Sequence, residues 1–407
     1  MSLNPKVTFC TGVGTVTGAN FLFESSKGTR ILIDCGLVQG ERVAMEENHE
    51  AFPYDLSSID ALFITHAHLD HVGRIAKLVK DGYKGPIYST PETRELAEVV
   101  LNDAVGILAM EAKQEGGEPL YGLDDVAAIW PSWKTTKYHE AFQLKYLSIY
   151  LKDAGHILGS SMFEITDGDK KILFTGDLGN SPAPLLRDSE PVGDVDFMVM
   201  ESVYGDRNHE QRQDRTAKLE RIIKDTISRN GTLVIPSFAI DRTQVLLYEL
   251  NNMVEQKIIP SIPVFVDSPM AIHSTEIYKR STDLFNDHVQ SQIKNGDNIF
   301  AFPHLEYTLS KEEAGAIAHT KPPRIILAGS GMSVGGRIIS HEADALADTK
   351  NTVLLVGYQT AGSLGRQLAD GARKVRIHGQ DITVKAHVET LYGYSAHKDS
   401  DHLVEFV

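Results

Sequence analysis

Residues 65–73 read Thr65-His66-Ala67-His68-Leu69-Asp70-His71-Val72-Gly73, with three imidazoles and a carboxylate inside six positions. They follow the apolar run Ala61–Thr65, which predicts a β-strand. In an extended or turning segment His66 and His68 point the same way, while Asp70 and His71 turn back as a helix begins. Imidazole and carboxylate are the ligands that borderline divalent ions, zinc above all, prefer. Two later strand ends supply what this segment lacks: His156 in Ala154-Gly155-His156-Ile157-Leu158-Gly159-Ser160, and Asp177 in Phe174-Thr175-Gly176-Asp177-Leu178-Gly179. Either alone is ordinary turn chemistry, and a polar turn with surface histidines is the plain alternative for the first segment. Together they describe a two-metal site, with His66, His68 and His156 on one ion, Asp70 and His71 on the other, and Asp177 bridging. Two ions roughly 3.5–4 Å apart, bridged by a carboxylate and a hydroxide, make a nucleophile at neutral pH and polarise a phosphoryl or carbonyl oxygen. Asp34, closing the strand Arg30–Asp34, is placed to orient a ligating imidazole from behind.

The elements that must carry these residues are short β-branched runs bounded by Gly, Asp or Pro. In the first half they fall at Val7–Phe9, Asn20–Phe23, Arg30–Asp34, Ala61–Thr65, Ile87–Thr90, Tyr146–Leu151, Ser161–Ile165, Lys171–Thr175 and Asp196–Glu201, with a long helix predicted over Pro91–Glu115. After a charged helix, Asn208 to Asn230, the rhythm changes. Strands Thr232–Pro236, Val264–Asp267, Arg324–Ala328 and Thr352–Gly357 alternate with helical stretches Arg242–Gln256, Ile272–Arg280 and Gly336–Ala347, the pattern of a mainly parallel sheet. One more strand is expected over Asp381–Val388 and the start of a helix over Asp399–Val407. The pattern implies two domains, the second inserted into the first, with joints near Asp206 and Lys385.

Order and spacing now carry a resemblance. His-x-His-x-Asp-His, Gly-His and Gly-Asp in this order look like the metallo-β-lactamase fold, and the chain resembles its β-CASP branch of nucleases throughout. The resemblance rests on Gly14-Thr15-Val16-Thr17-Gly18, Glu201-Ser202-Val203-Tyr204-Gly205-Asp206, Asp267-Ser268-Pro269, Gly329-Ser330-Gly331-Met332, Gly335-Gly336-Arg337, the run Gly357 to Arg366, and Ser395-Ala396-His397. It implies an α/β protein, a metallo-β-lactamase four-layer αβ/βα sandwich with an inserted α/β β-CASP cap domain and an active site in the cleft between them. The expected division is 1–206 for the first part of the lactamase-like domain, 207–385 for the β-CASP domain and 386–407 for an incomplete C-terminal return. Position by position it makes His66, His68, Asp70, His71, His156 and Asp177 zinc ligands, Glu201 the acidic first β-CASP motif, and His397 the general acid for the departing oxygen. A third motif, a His or Val in a short strand roughly 20 residues after His397, would complete the second of two zinc sites, yet the sequence stops at Val407. Either the chain is cut short or it lacks that ligand by nature, and the half-finished helix favours the first.

Composition limits the partners. The chain has 407 residues, 42% hydrophobic and 23% charged, with no apolar run near the length of about 20 that a membrane span needs. Its two cysteines, Cys10 and Cys35, and the absence of a signal-like N-terminus point to the cytoplasm. A net charge of −15 argues against casual binding to polyanions. The stretch from Lys321 to Lys385 nevertheless holds nine basic and five acidic residues, a surplus of +4. The Gly-rich turns there expose backbone N–H groups, and Ser330, Arg337 and Arg366 are the expected phosphate contacts. Arg242 and His341 read as structural or surface residues, while Phe238, Tyr204 and Tyr358 could stack bases, although isolated aromatics more often belong to a core. The reading is a zinc-dependent ribonuclease in which metal-bound hydroxide attacks phosphorus, with RNA as partner, no membrane, and a homodimer as an open possibility. The rivals are a DNA or small-molecule phosphodiesterase or hydrolase on the same scaffold, and a non-catalytic scaffold subunit.

Overall fold

The computed structural model describes residues 4–40, 42–210 and 212–407. They form two compact units, Met1–Gly205 with Ser400–Val407, and Asp206–Asp399. In the first, β1 (Lys6–Thr11), β2 (Asn20–Glu24), β3 (Arg30–Ile33), β4 (Ala61–Phe63), β5 (Ile87–Ser89) and β6 (Trp133–Thr135) make one sheet in chain order. Pairing is antiparallel up to β3 and parallel beyond it. A second sheet follows, β7 (Phe142–Leu144), β8 (Leu147–Asp153), β9 (Ser161–Asp167), β10 (Lys170–Phe174) and β11 (Phe197–Val199), in reverse spatial order.

Alternation along the strands explains the layers. Phe23, Ile31, Ile33 and Phe63 of one sheet meet Ile149, Leu151, Phe163, Ile165, Ile172 and Phe174 of the other in one buried core. Their neighbours Leu32 and Leu62 point the opposite way and are fully buried, so the outer face of that sheet is covered too. The parallel crossovers supply the cover, helices Leu69–Val72, Ile75–Lys80, Pro91–Glu115 and Leu123–Ala127. The longest of these is bounded as its sequence predicts. The Thr90 hydroxyl accepts the Thr93 N–H at 3.2 Å, Pro91 opens the first turn, and Gly116 closes it at φ +75°. On the other sheet, Met162, Leu173 and Met198 pack beneath Leu403 and Phe406 of helix Ser400–Phe406. Helix, sheet, sheet and helix are the expected four layers.

The second unit holds β12 (Thr232–Pro236), β13 (Val264–Asp267), β14 (Leu305–Tyr307), β15 (Arg324–Ala328), β16 (Thr352–Leu355), the hairpin β17 (Lys374–Ile377) and β18 (Gln380–Thr383), and β19 (His387–Thr390). The main sheet runs β14-β13-β15-β12-β16-β19 and is parallel throughout. Every residue of β12, β13 and β16 is buried, as strands covered on both faces require.

Two expectations differ from what is found. The single strand expected over Asp381–Val388 is two: β18 turns back on β17 through His378 and Gly379, both at positive φ as a tight hairpin turn demands, and β19 joins the main sheet beside β16. Because β19 belongs to that sheet, the second boundary between compact units falls at Asp399/Ser400 and not near Lys385. The three-residue strands β6, β7 and β14 are too short to leave a periodic signature.

Glu342, on helix Ile338–Leu346, is fully buried. One carboxylate oxygen accepts the Ser333 hydroxyl at 2.6 Å, the other has no partner, and burial pushes the group up to about 7. The folded chain therefore holds this proton more tightly than the unfolded one, so stability declines as pH rises from the ordinary carboxyl range through about 7. Glu342→Gln keeps the accepting oxygen and removes the charge. Its melting temperature should exceed the parent's by roughly 2–6 °C near pH 8, with the gap closing toward pH 5, as read by thermal unfolding at both values.

Candidate metal centre

Parallel pairing of β3 with β4 sets Asp34, just past one strand, beside Thr65, just past the other. The Asp34 N–H donates to the Phe63 carbonyl at 2.8 Å, and the Thr65 N–H donates back to the Asp34 carboxylate at 2.8 Å. The chain then delivers His66, His68 and, on the short helix Leu69–Val72, Asp70 and His71. From the other sheet, the loop after β8 brings His156 and the turn after β10 brings Asp177.

Four of these side chains converge. His66, His68, His156 and Asp177 each offer an atom within 4.8 Å of the others. His68 Nδ1 lies 3.1 Å from His66 Nε2 and 3.2 Å from His156 Nε2, and one Asp177 oxygen lies 3.5 and 3.6 Å from those same Nε2 atoms. Tetrahedral ligands about 2.05 Å from a shared zinc would stand about 3.3 Å apart. The three rings are also nearly perpendicular, at 77°, 81° and 86°. Nitrogens that face one another so closely share few protons, and a cation is what satisfies them all. The residues therefore fit a divalent ion. The second Asp177 oxygen lies 3.4 Å from His71 Nε2, which is 3.8 Å from Asp70, so this carboxylate reaches toward two ligand groups.

Asp34 orients both groups. Its carboxylate only accepts, so the contact at 2.7 Å places a proton on His71 Nδ1 and leaves Nε2 as the ring atom that faces Asp177. The Thr65 hydroxyl donates to Asp34 at 2.8 Å and is 3.0 Å from His66 Nδ1, whose proton it accepts. Burial and then the neighbouring His71 push His66 well below the ordinary imidazole value. Burial also opposes charge on His71, yet Asp177, Asp34 and Asp70 together hold it well above that value. Glu201 accepts the Leu178 N–H, fixing the turn that carries Asp177. A cavity of about 390 Å³ opens here, lined by Asp34, Asp70, His71, Asp177, Glu201 and the 12–17 loop. The relay through Thr65 escaped the sequence, where a hydroxyl before His66 carries no signal until the strand pairing is known.

His397 lies in the second unit, where its N–H reaches the Ser395 hydroxyl at 3.3 Å and its carbonyl faces His209 Nε2 at 3.0 Å. The expected phosphate contacts fare differently. Arg337 spends its guanidinium on Asp267 at 2.6 Å and on the carbonyls of Thr308 and Leu309, with His341 on the other Asp267 oxygen at 2.7 Å. It is a structural clamp on a buried carboxylate. Arg366 is exposed and paired with Asp370 at 2.8 Å, and the Ser330 hydroxyl accepts the Val334 N–H at 3.1 Å. Arg242 is buried against the Val356 carbonyl at 2.6 Å, a structural residue as its sequence context suggests.

Comparison with known proteins gives concordant results. The profile of the metallo-beta-lactamase superfamily domain matches residues 22–189, and that of the Beta-Casp domain matches residues 243–368. A ribonuclease of Thermus thermophilus is 36% identical over 393 residues, covering 96% of this chain and 88% of that protein. Transcription termination factor FttA of Methanosarcina mazei and that of Thermococcus kodakarensis are each 32% identical, over 99% and 98% of this chain; the chain spans 64% of the length of each. A solved structure of a protein of unknown function from Enterococcus faecalis superposes with a TM-score of 0.55 at 14% identity, covering 98% of this chain and 90% of that one, a likeness of fold alone.

One close approach fixes the Asp70-His71 segment. A Cβ on Gly36 would sit 1.5 Å from the Asp70 carbonyl oxygen. That contact belongs to a backbone ladder: Cys35 N–H to His71 O at 2.8 Å, Leu37 N–H to Leu69 O at 3.0 Å, and Ala19 N–H to Asp70 O at 2.9 Å. Gly106, mid-helix, has nothing within 4 Å of its Cβ position. Denaturant titration should find Gly36→Ala destabilised by about 1–3 kcal/mol or more. Gly106→Ala should be stabilised by up to about 1 kcal/mol.

Proposed function

This chain belongs to the metallo-β-lactamase superfamily and to its β-CASP family, and on that premise we propose that it is a zinc-dependent ribonuclease hydrolysing RNA phosphodiester bonds. The observation that carries the reading is the convergence of His66, His68, His156 and Asp177. Identity of 36% to a ribonuclease across nearly the whole chain supports RNA as the substrate. The family implies a divalent metal, and the His/Asp cluster is able to hold one. Three imidazoles and a carboxylate favour zinc over harder ions.

In this reading His66 Nε2, His68 Nδ1 and His156 Nε2 would hold one ion, Asp70 and His71 Nε2 would contribute to a second, and Asp177 would be available to both. Zinc in such a site supplies Lewis acidity to a phosphoryl oxygen and eases deprotonation of water. The chain's own residues do the rest. Asp34 fixes the His71 ring directly and the His66 ring through Thr65, so neither imidazole loses orientation when substrate arrives. Glu201 anchors the Asp177 turn through Leu178. His397 donates the proton that the departing oxygen requires. The two cysteines are unpaired, which accords with the reducing cytoplasm we assign as its compartment.

Metal analysis of the purified protein should find at least one equivalent of zinc, and less than that would remove the ligand assignment. Asp34→Asn should weaken zinc affinity by about 10–100-fold in a chelator competition while the fold persists. Asp70→Ala and His397→Ala should each cut hydrolysis of end-labelled RNA by about a hundredfold or more, with unchanged circular dichroism. Undiminished cleavage by either variant would sink the mechanism, and a DNA substrate run in parallel reads the sugar preference.

A further inference from the structure

The six strands of the second unit's main sheet run parallel, so their C-terminal ends lie along one edge. Among the described residues of this unit, five large apolar side chains are exposed, and each follows a strand end on that edge. They are Leu309 after β14, Val334 in the loop after β15, Phe238 after β12, Tyr358 after β16 and Tyr392 after β19. Exposed apolar groups scattered singly carry no message, but their confinement to one edge marks a contact surface. The carboxyl ends of parallel strands are also where open α/β sheets take their ligands.

The three rings fall on neighbouring strands, since β12, β16 and β19 are consecutive in the sheet. Adjacent strands are about 4.8 Å apart, a step that single-stranded nucleic acid can follow when it lengthens from its stacked spacing of about 3.4 Å. Phe238, Tyr358 and Tyr392 are 40%, 50% and 43% exposed, open enough for a base to lie against each. Phe238 is also held in place: a Cβ on Gly331 would come within 2.6 Å of its ring. A cation stands on the aromatic side. Arg366, paired to Asp370 on the helix Leu364–Ala369 that follows Tyr358, counts Tyr358 and Tyr392 among its electrostatic neighbours, and it belongs to the stretch from Lys321 to Lys385 that carries a surplus of +4.

We propose that this edge is a stacking platform for single-stranded RNA, with Phe238, Tyr358 and Tyr392 each taking a base and Arg366 meeting the backbone phosphate. The proposal rests on the ribonuclease reading for the identity of its ligand. Rings with an adjacent guanidinium suit nucleobases, because every base has a π-face and stacking tolerates any sequence.

The test uses the full chain in excess chelator, with fluorescein-labelled ten-nucleotide oligoadenylate and oligouridylate and a ten-base-pair RNA duplex, read by anisotropy. Phe238→Ala, Tyr358→Ala and Tyr392→Ala should each weaken single-strand binding about tenfold. Tyr358→Phe and Tyr392→Phe should bind as the parent does, and duplex affinity should change little because its bases are already stacked. Arg366→Ala should lower the slope of log affinity against log salt by about one, whereas the aromatic variants leave that slope unaltered. Thermal unfolding checks that each variant folds. Single-strand affinity that survives all three alanine variants overturns the proposal. Equal loss on duplex overturns it, and so does loss accompanied by a changed sedimentation coefficient, which would make the edge a protein–protein face. If the parent cleaves neither RNA nor a small phosphodiester yet the binding pattern holds, the platform stands and the ribonuclease reading falls.

Discussion

The Asp34 carboxylate is 1% exposed and uses both oxygens on the metal-binding segment. An ionised carboxylate this deep is costly unless its partners compensate. Here a backbone N–H, a hydroxyl and the His71 ring do so. The residue also sits at φ +57°, in the left-handed region that costs a non-glycine residue on the order of 1 kcal/mol. It stays there because its N–H is tied to Phe63 and its carbonyl to Asn20 at 2.7 Å. The conformation aims the carboxylate across to the next strand end, where Thr65 and His71 await it. The Nδ1 proton of His71 and, through Thr65, that of His66 follow from that direction.

Such a site also depends on where two sheets stand relative to each other, because metal ligands tolerate displacements of only a few tenths of an ångström. Asp34, His66, His68, Asp70 and His71 come from one sheet, His156, Asp177 and Glu201 from the other. The aromatic core sets the separation. Phe63, just before the His66 segment, packs edge-on to Phe163 with ring centroids at 5.2 Å, and Phe174, just before the Asp177 turn, packs similarly on Phe23 at 6.4 Å. The loops that carry His66 and Asp177 thus leave their strands within a few residues of a ring clamped between the sheets. Rigid rings so near the strand ends leave little freedom for the loops they launch.

The candidate residues that converge were legible because the spacing of His66, His68, Asp70 and His71 is local and their types are rare in combination. Long strands and helices were legible for the same reason, as with Pro91–Glu115, whose cap, opening proline and closing glycine are all written within the segment. What stayed hidden required knowing which distant segments touch. Thr65 looks like any strand-end hydroxyl until β3 and β4 are paired. Arg337 looks like a phosphate ligand in a glycine-rich turn until Asp267, seventy positions earlier, is found to occupy it. Strands β18 and β19 looked like one because β-branched residues, Ile382, Thr383, Val384 and Val388, continue across the break. The aromatic edge was half visible: Phe238 and Tyr358 stood out as rings, but only the parallel order of strands aligns them with Tyr392.

The acidity of the chain takes on a specific meaning at the metal-binding cavity. Asp34, Asp70, Asp177 and Glu201 line it, opposed there by the single imidazole His71. A phosphodiester approaching these carboxylates alone would be repelled at short range, where the surrounding salt, with a Debye length of about 8 Å, offers little screening. Divalent cations are the largest local charges such a site can hold, and they invert the sign that the substrate meets. The same ions that the imidazoles require to settle their facing nitrogens would therefore be needed for the substrate to enter at all. In a chain of net charge −15, metal loading would therefore govern entry of a phosphodiester into this cavity as well as chemistry there, whereas contacts made at the aromatic edge of the second unit need no metal.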